Sequence, residues 1–426
     1  MYIETLGCPK NWVESEKLMG DLGNVSVTQN PEEANTIIVN TCGFLQASRQ
    51  ESIETILGLA EYKKSGDCDK LVVSGCLVES HGRELAEELH EVDLFCKTGE
   101  RENLLQLLQI DSTLEDHYDR RFLQNTWSNY LKISEGCNHK CSFCTIPQFK
   151  GKLKSRSIED LVDESKKMVD RGVTEITLVG QDLSSYGFDL SGENLSALLR
   201  ELVKIKKVKW IRLLYLYPSL VDDELIRVIK NEEKIAKYFD IPVQHLENTM
   251  LKRMNRSGSI ESYQELIEKI RMEIDRVALR TTLIVGFPGE TEERFQTLLS
   301  NMKDIKWNHL GAFEYSPEES TKSFYLDQHV DPEIKKQRLE QVMELQAQIS
   351  YDLLEDRVGS VCDVLIEEVI PEDDENPAYY IGRSQFEAPE IDGNIVISSL
   401  EPVGIGQYIP VKIIKRSEYD LFGGPA

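Results

Sequence analysis

Three cysteines, Cys137, Cys141 and Cys144, share one short stretch with the spacing Cys-x3-Cys-x2-Cys. Residues 131–134 ahead of them read as a short apolar strand, so the thiols lie in a loop at its end. Three thiolates this close form a ligand set for a metal or a cluster. Zinc takes four ligands in a structural site, or three and a water in a catalytic one, and His139 is the candidate for a fourth here. Four-ligand zinc sites usually come as paired Cys-x2-Cys units, which weighs against that metal. A cubane iron–sulfur cluster has four irons, so three cysteines leave one iron without a protein ligand.

That vacancy suits the amino and carboxylate groups of S-adenosylmethionine. An electron from the cluster can then cleave the sulfonium and release a 5′-deoxyadenosyl radical, chemistry that side chains alone do not offer. The spacing, the strand before it and Phe143 ahead of the last cysteine resemble the radical S-adenosylmethionine superfamily. The resemblance implies that Phe143 packs near the adenosyl group; core filling is its plainer role.

A second set of cysteines gains meaning from the elements around it. Residues 1–125 alternate strand and helix signals, with strands near 2–6, 36–40 and 71–74 and helices near 12–22, 46–64 and 79–89. This alternation implies a parallel sheet with helices on its faces. Cys8, Cys42 and Cys76 each fall just past the end of one strand. In an open parallel sheet those ends line one edge, where ligands bind. Gly7, Gly43 and Gly75 stand beside them and let the backbone approach a bulky cluster. The set reads as a second three-thiolate site with an open iron; the alternative is three unrelated buried cysteines. Cys68, Cys96 and Cys362 lack this setting and read as structural or free thiols.

Residues 126–350 hold six strand–helix units, with strands near 131–134, 175–179, 210–215, 238–243, 278–285 and 310–315. Six units make a partial (β/α)6 barrel, in which function sits at the C-terminal ends of the strands. Beside the cysteine loop, the residues there are Gln181 and Asp182, Gln244 and His245, Gly286, Gly289 and Glu290, and Tyr315. Gln181 and Gln244 suit hydrogen bonds to a methionine or ribose group. Gly286 and Gly289 read equally as turn glycines before a helix near Thr291, and His245 as a surface residue. No side chain reads as a general acid or base.

A charged helical stretch over 331–356 reads as a connector. Residues 351–426 then turn to β-branched runs near 361–369, 379–383, 395–398 and 408–414, which suggest a small five-strand antiparallel β-barrel. From Asp356 onward, 14 acids face 5 bases, a net charge of −9. That is the wrong sign for a small barrel that binds RNA. The acidic run at 372–375 reads as a solvated loop or a dock for a basic protein. The whole chain has 426 residues and a net charge of −25, which favours a basic protein partner over a phosphate backbone. No run approaches the ~20 apolar residues of a membrane span. The first residues enter a strand directly, and nine cysteines fit ligands or free thiols in a reducing cytoplasm.

This order of parts resembles the methylthiotransferases. The fold expected is an α/β chain with an N-terminal parallel-sheet domain, a radical S-adenosylmethionine barrel and a C-terminal barrel similar to TRAM domains. Leu6-Gly7-Cys8-Pro9-Lys10-Asn11, Asn40-Thr41-Cys42-Gly43-Phe44, Ile133-Ser134-Glu135-Gly136-Cys137-Asn138 and Asp240-Ile241-Pro242-Val243-Gln244-His245 look like the RimO branch, which modifies a ribosomal protein. Gln181-Asp182-Leu183-Ser184-Ser185-Tyr186-Gly187 is similar to the family's strand ending, with Leu183 where many members have threonine. The resemblance implies two [4Fe-4S] clusters and S-adenosylmethionine as cofactors. Cys137, Cys141 and Cys144 would hold the cluster that cleaves it. Cys8, Cys42 and Cys76 would hold an auxiliary cluster that carries sulfur. The substrate would be the β-carbon of an aspartate in small-subunit ribosomal protein S-twelve, whose unactivated C–H bond is out of reach of general bases. A flavodoxin or ferredoxin would supply electrons, and the chain would act as a cytoplasmic monomer with no nucleic-acid substrate. Two rivals stand beside this: a transfer-RNA adenosine methylthiotransferase and a non-catalytic iron–sulfur carrier.

Overall fold

Four short strands open the chain: β1 (Tyr2–Thr5), β2 (Thr36–Thr41), β3 (Lys70–Gly75) and β4 (Leu94–Cys96). The computed structural model describes residues 1–23, 25–66, 68–98, 100–109, 120–122, 125–371, 378–399 and 401–426. In it the four strands pair in parallel, in chain order. Alternation along the strands explains the layers. Ile37, Val39, Leu71 and Val73 face one core with Ile56 and Leu85, while Ile38 and Val72 face the other with Leu18 and Leu22. Thr5 pairs with Asn40 and Thr41 with Gly75, so the first three strands end level. β4 has three residues, too few to show a period in the sequence.

The central region runs through β5 (Ser128–Lys132), a two-strand ribbon of β6 (Ser134–Glu135) and β7 (Lys154–Ser155), then β8 (Glu175–Val179), β9 (Trp210–Leu213), β10 (Tyr238–Asp240), β11 (Ala278–Val285) and β12 (His309–Glu314). β5, β8 and β9 form one parallel half and β10, β11 and β12 the other. A bridge between Ile211 and Ile235 joins the halves. The arc of six does not close between β12 and β5. One large core fills it, with Leu131, Ile176, Leu178, Leu213 and Leu283 from the strands meeting Leu161, Leu198, Ile229 and Phe295 from the helices.

The helix Pro332–Leu354 packs against β12, and Gln346 donates to the carbonyl of Trp307 at 2.9 Å. Near its start a buried polar knot corrects one expectation. His245 is fully buried, not at the surface; its Nε2 meets Glu290 at 2.9 Å and its Nδ1 accepts from the Glu247 N–H at 3.0 Å. Arg338 closes the knot on Glu290 at 2.8 Å. Gly286 and Gly289 both have positive φ and precede the helix Glu292–Ile305, capped by Thr291, so their turn role accounts for them.

The last strands, β13 (Val361–Ile370), β14 (Tyr379–Arg383), β15 (Ile395–Ser398), β16 (Tyr408–Arg416) and β17 (Leu421–Pro425), close a barrel in the order β13-β14-β15-β17-β16. All pairs are antiparallel except β15 with β17, which is parallel. β17 is hidden in the sequence because Leu421-Phe422-Gly423-Gly424-Pro425 reads as a turn. Gly423 serves close packing: a Cβ there would stand 2.4 Å from the Lys412 carbonyl. The acidic run at 372–375 lies outside the described residues.

Buried ion clusters fasten the three parts. Arg120 reaches Glu16 of the N-terminal domain and Glu164 of the barrel helix Ile158–Asp170, the latter at 2.9 Å. Glu175 on β8 binds Arg212 at 3.1 Å and also Arg383 of the C-terminal barrel, which holds Glu367 at 2.8 Å. Burial alone would raise the Glu175 pKa. The guanidinium groups of Arg383 and Arg212 outweigh it and hold the carboxyl at about 2. Removing one member of such a cluster strands buried charge, at a cost of about 3–5 kcal/mol. Glu175→Gln is therefore expected to destabilise the chain by about that amount at neutral pH. A carboxyl held below its ordinary 4.5 contributes stability above that pH and loses it as pH falls toward 2. Urea unfolding of both proteins against pH tests this: the gap should shrink below about pH 4.5, and a gap that stays constant contradicts the assignment.

Candidate active site

The first thiol set hangs on β5 and the ribbon that follows it. Gly136 turns the chain at φ 75°, and a Cβ there would meet the Lys152 carbonyl at 2.2 Å. The Cys137 N–H donates to Gly151 at 3.2 Å, and the Cys144 N–H to Cys141 at 3.2 Å. Between them, Ser142 donates its N–H to Met254 at 2.9 Å and its hydroxyl to Arg253 at 2.8 Å. The loop is thus held from both sides, which fixes where three sulfurs point. The His139 N–H donates to the Cys137 sulfur at 3.4 Å, and Arg256 to the Cys141 sulfur at 3.6 Å. Burial pushes the Cys137 thiol up, and the Cys144 thiol up to about 12. Neutral while alone, these thiols would release protons on binding a cationic centre.

The second set occupies the level ends of β1, β2 and β3. Cys8 caps the helix Pro9–Asp21, Cys42 follows β2, and Cys76 is the first residue of the helix Cys76–Glu88. Two helix N-termini therefore point at the site, which favours anionic sulfur there. Gly75 has φ 102°, and a Cβ would stand 2.4 Å from the Thr41 carbonyl. Burial pushes the Cys42 thiol up, and the Cys76 thiol up to about 11. Asn11 ties the three turns together. Its Nδ2 donates to Leu6 at 2.8 Å and to Thr41 at 3.1 Å, and its Oδ1 accepts from the Cys76 sulfur at 3.6 Å.

Both sets are all-thiol and backed by backbone that only glycine permits, a donor chemistry that fits iron–sulfur clusters. No three His, Cys, Asp or Glu side chains among the described residues are gathered to hold a single metal ion. His139 is engaged elsewhere: its Nε2 meets Asp182 at 2.7 Å, and its ring stacks on Tyr217 at 3.7 Å. Arg256 covers Tyr217 at 4.2 Å. Of the other three cysteines, Cys68 lies beside the Lys70 carbonyl, Cys96 beside that of Glu100 and Cys362 beside Arg357.

The remaining expected contacts divide. Gln181 donates to Glu135 at 2.6 Å, and its buried Oε1 has no partner. The Ser134 hydroxyl and the Thr145 hydroxyl are also buried and unpaired. Orphaned polar atoms beside the thiol loop suit a polar ligand. Gln244 sits at φ 73°, a strained backbone for a non-glycine residue, and is half-buried. Phe143 is half-buried against Met250, Met254, Phe287 and Tyr315, an apolar wall beside the last thiol. Asp182 caps the 3-10 turn Leu183–Ser185, so its role is to hold the loop and His139.

Sequence reasoning passed over Lys10, Asn11, Glu135 and Arg256 as site residues. Lys10 and Asn11 stand in the first helical turn after Cys8, which was the available signal. Arg256 lies more than a hundred residues from the sulfur it touches, and nothing in its own stretch marks it.

Residues 1–97 match the model of an uncharacterized protein family, UPF0004, residues 131–302 that of the radical SAM superfamily, and residues 358–425 that of the TRAM domain. "Ribosomal protein uS12 methylthiotransferase RimO" of Clostridioides difficile is 42% identical over 437 residues, covering 99% of this chain and 97% of the relative. The protein of the same name from Desulforamulus reducens is 40% identical over 436 residues, covering 98% of each. Among solved structures, the radical S-adenosylmethionine methyltransferase TsrM of Kitasatospora setae shares the fold, with a TM-score of 0.54 at 13% identity over 82% of this chain and 88% of that one. Identity at this level along nearly the full length, with three matched domains in the same order, makes the chain a member of the RimO family of radical S-adenosylmethionine methylthiotransferases.

Proposed function

We propose that this chain inserts a methylthio group at the β-carbon of an aspartate in small-subunit ribosomal protein S-twelve. The observation that carries the reading is the division of six cysteines into two sets of three, at the C-terminal strand ends of two adjoining parallel sheets. Cys137, Cys141 and Cys144 would hold one [4Fe-4S] cluster, and Cys8, Cys42 and Cys76 a second. Bound there with S-adenosylmethionine, such clusters supply one-electron reduction, a radical and a sulfur carrier.

The chain's own residues do the rest. The glycine turns at Gly136 and Gly75 and the hydrogen bonds of Ser142 and Asn11 fix the sulfurs. Arg256 places positive charge beside Cys141. Phe143 with Met250, Met254 and Phe287 offers an apolar wall that keeps water from a reactive centre. The buried Ser134 hydroxyl and Gln181 Oε1, both without a partner, would accept hydrogen bonds from the amino group of a bound S-adenosylmethionine. An excess of acid over base across the chain, with a net charge of −25, favours a basic substrate protein over transfer RNA. Electrons would come from a flavodoxin or ferredoxin, and the chain would work as a monomer in the cytoplasm.

Anaerobic assay with reductant, S-adenosylmethionine and either an S-twelve peptide or transfer RNA tests the reading. The peptide should gain the mass of a methylthio group and the RNA should not; the reverse contradicts it. In the same assay Cys141→Ala should form no 5′-deoxyadenosine, while Cys42→Ala should form it without modified peptide. Equal loss of cleavage in both folded variants would refute the division of labour.

Asn11 laces one thiol set and touches nothing in the other. Asn11→Ala should cut protein-bound iron from about eight to about four per chain, with 5′-deoxyadenosine formation retained. Iron analysis after anaerobic reconstitution checks this, and a full iron complement in the variant would show that the lacing is dispensable.

A further inference from the structure

Lys10 is a cation in an unusual position. It lies in the first turn of the helix Pro9–Asp21, the end where the helix dipole disfavours positive charge. Its side chain leaves the N-terminal domain and reaches the mouth of the barrel. The ammonium is 3.5 Å from the Gly180 carbonyl, just past β8, and 4.4 Å from the centre of the Tyr215 ring, just past β9. The groups that face it are the thiols of Cys8 and Cys76, the Tyr215 ring and the Glu135 carboxylate. It therefore stands where the auxiliary thiol set meets the barrel's strand ends.

The nearby carboxylate is already committed. Glu135 binds Lys132 through one oxygen and receives Gln181 at 2.6 Å through the other. Among the described residues no carboxylate comes within 4.0 Å of the Lys10 ammonium. An ammonium carries three donors, and among the described residues the hydrogen bond they make is one long contact to a carbonyl. Half-buried and underused, it is set to receive an anion.

Tyr215 gives an independent sign that the position is built. A tyrosine at φ 67° is backbone strain for a bulky side chain. Two hydrogen bonds hold it there: its N–H donates to Asp240 at 2.9 Å, and its carbonyl accepts from the Leu183 N–H at 3.0 Å. The outcome of that strain is a ring placed beside the Lys10 ammonium, where a π face steadies a cation.

Resting on the function proposed above, we infer that Lys10 is a specificity-determining residue whose ammonium pairs with the side-chain carboxylate of the substrate aspartate. The pair would hold the β-carbon, one bond from that carboxylate, between the two cysteine sets. Lys10 thereby reads the one charge that separates aspartate from asparagine.

Equilibrium binding of two S-twelve peptides to the anaerobically reconstituted full chain tests this, one carrying the target aspartate and one asparagine there. Wild-type protein should prefer the aspartate peptide by about tenfold to a hundredfold, the scale of a lost charged hydrogen bond. Lys10→Met should bind both alike while keeping its iron, and KM for the aspartate peptide should rise by a similar factor. Lys10→Arg should restore part of the preference. The inference is overturned if wild type binds both peptides equally, if Lys10→Met keeps the preference, or if Lys10→Met loses the iron of one cysteine set. Should wild type bind neither peptide and modify neither, the substrate reading itself falls, and the inference with it.

Discussion

The level ending of three parallel strands is the constraint on which the rest depends. A cluster held by Cys8, Cys42 and Cys76 would need three sulfurs delivered to one spot from separate turns. In the N-terminal sheet the register pairs Thr5 with Asn40 and Thr41 with Gly75, so the turns bearing Cys8, Cys42 and Cys76 leave the same edge. A slip of one residue would invert every buried side chain of β2, which is enclosed on both faces, so the apolar core enforces the alignment. Crowding then requires glycine at the junctions, and Asn11 finishes the assembly by bonding to all three turns.

A second constraint is that the two thiol sets keep a fixed relation across a domain boundary. The chain meets it with buried charge. Glu164, held at about 2 against the pull of burial by Lys17, Arg120 and Arg156, joins the first domain to the barrel, and Glu175 joins the barrel to the last. Such clusters add little net stability when compared with apolar packing, but their geometry is demanding. They suit a protein in which Lys10 of one domain must arrive at Gly180 and Tyr215 of another.

Much of this was legible in the residues. Period-two and unbroken apolar runs located the first three strands, the six barrel strands and four of the last five, because each carries a buried face. β4 and β17 escaped for opposite reasons: one is too short for a pattern, and the other is written in glycine and proline. The cysteines announced themselves by spacing or by position after a strand. His245 did not, since a lone histidine in a polar stretch carries no mark of the Glu290 and Arg338 that bury it. Gln181 was legible as a polar residue past the end of a barrel strand but not as a partner of Glu135, and Arg256 meets Cys141 only through tertiary structure.

The central claim is that each cysteine set independently holds its own cluster. Iron and sulfide analysis with Mössbauer spectra, on anaerobically reconstituted wild type and on two triple-alanine variants, tests it most directly. One variant removes Cys8, Cys42 and Cys76, and the other Cys137, Cys141 and Cys144. The account predicts about eight irons in the wild type and about four in either variant, all in cubane form. A wild type with about four irons, or a single triple variant that loses every cluster while folded, would contradict it.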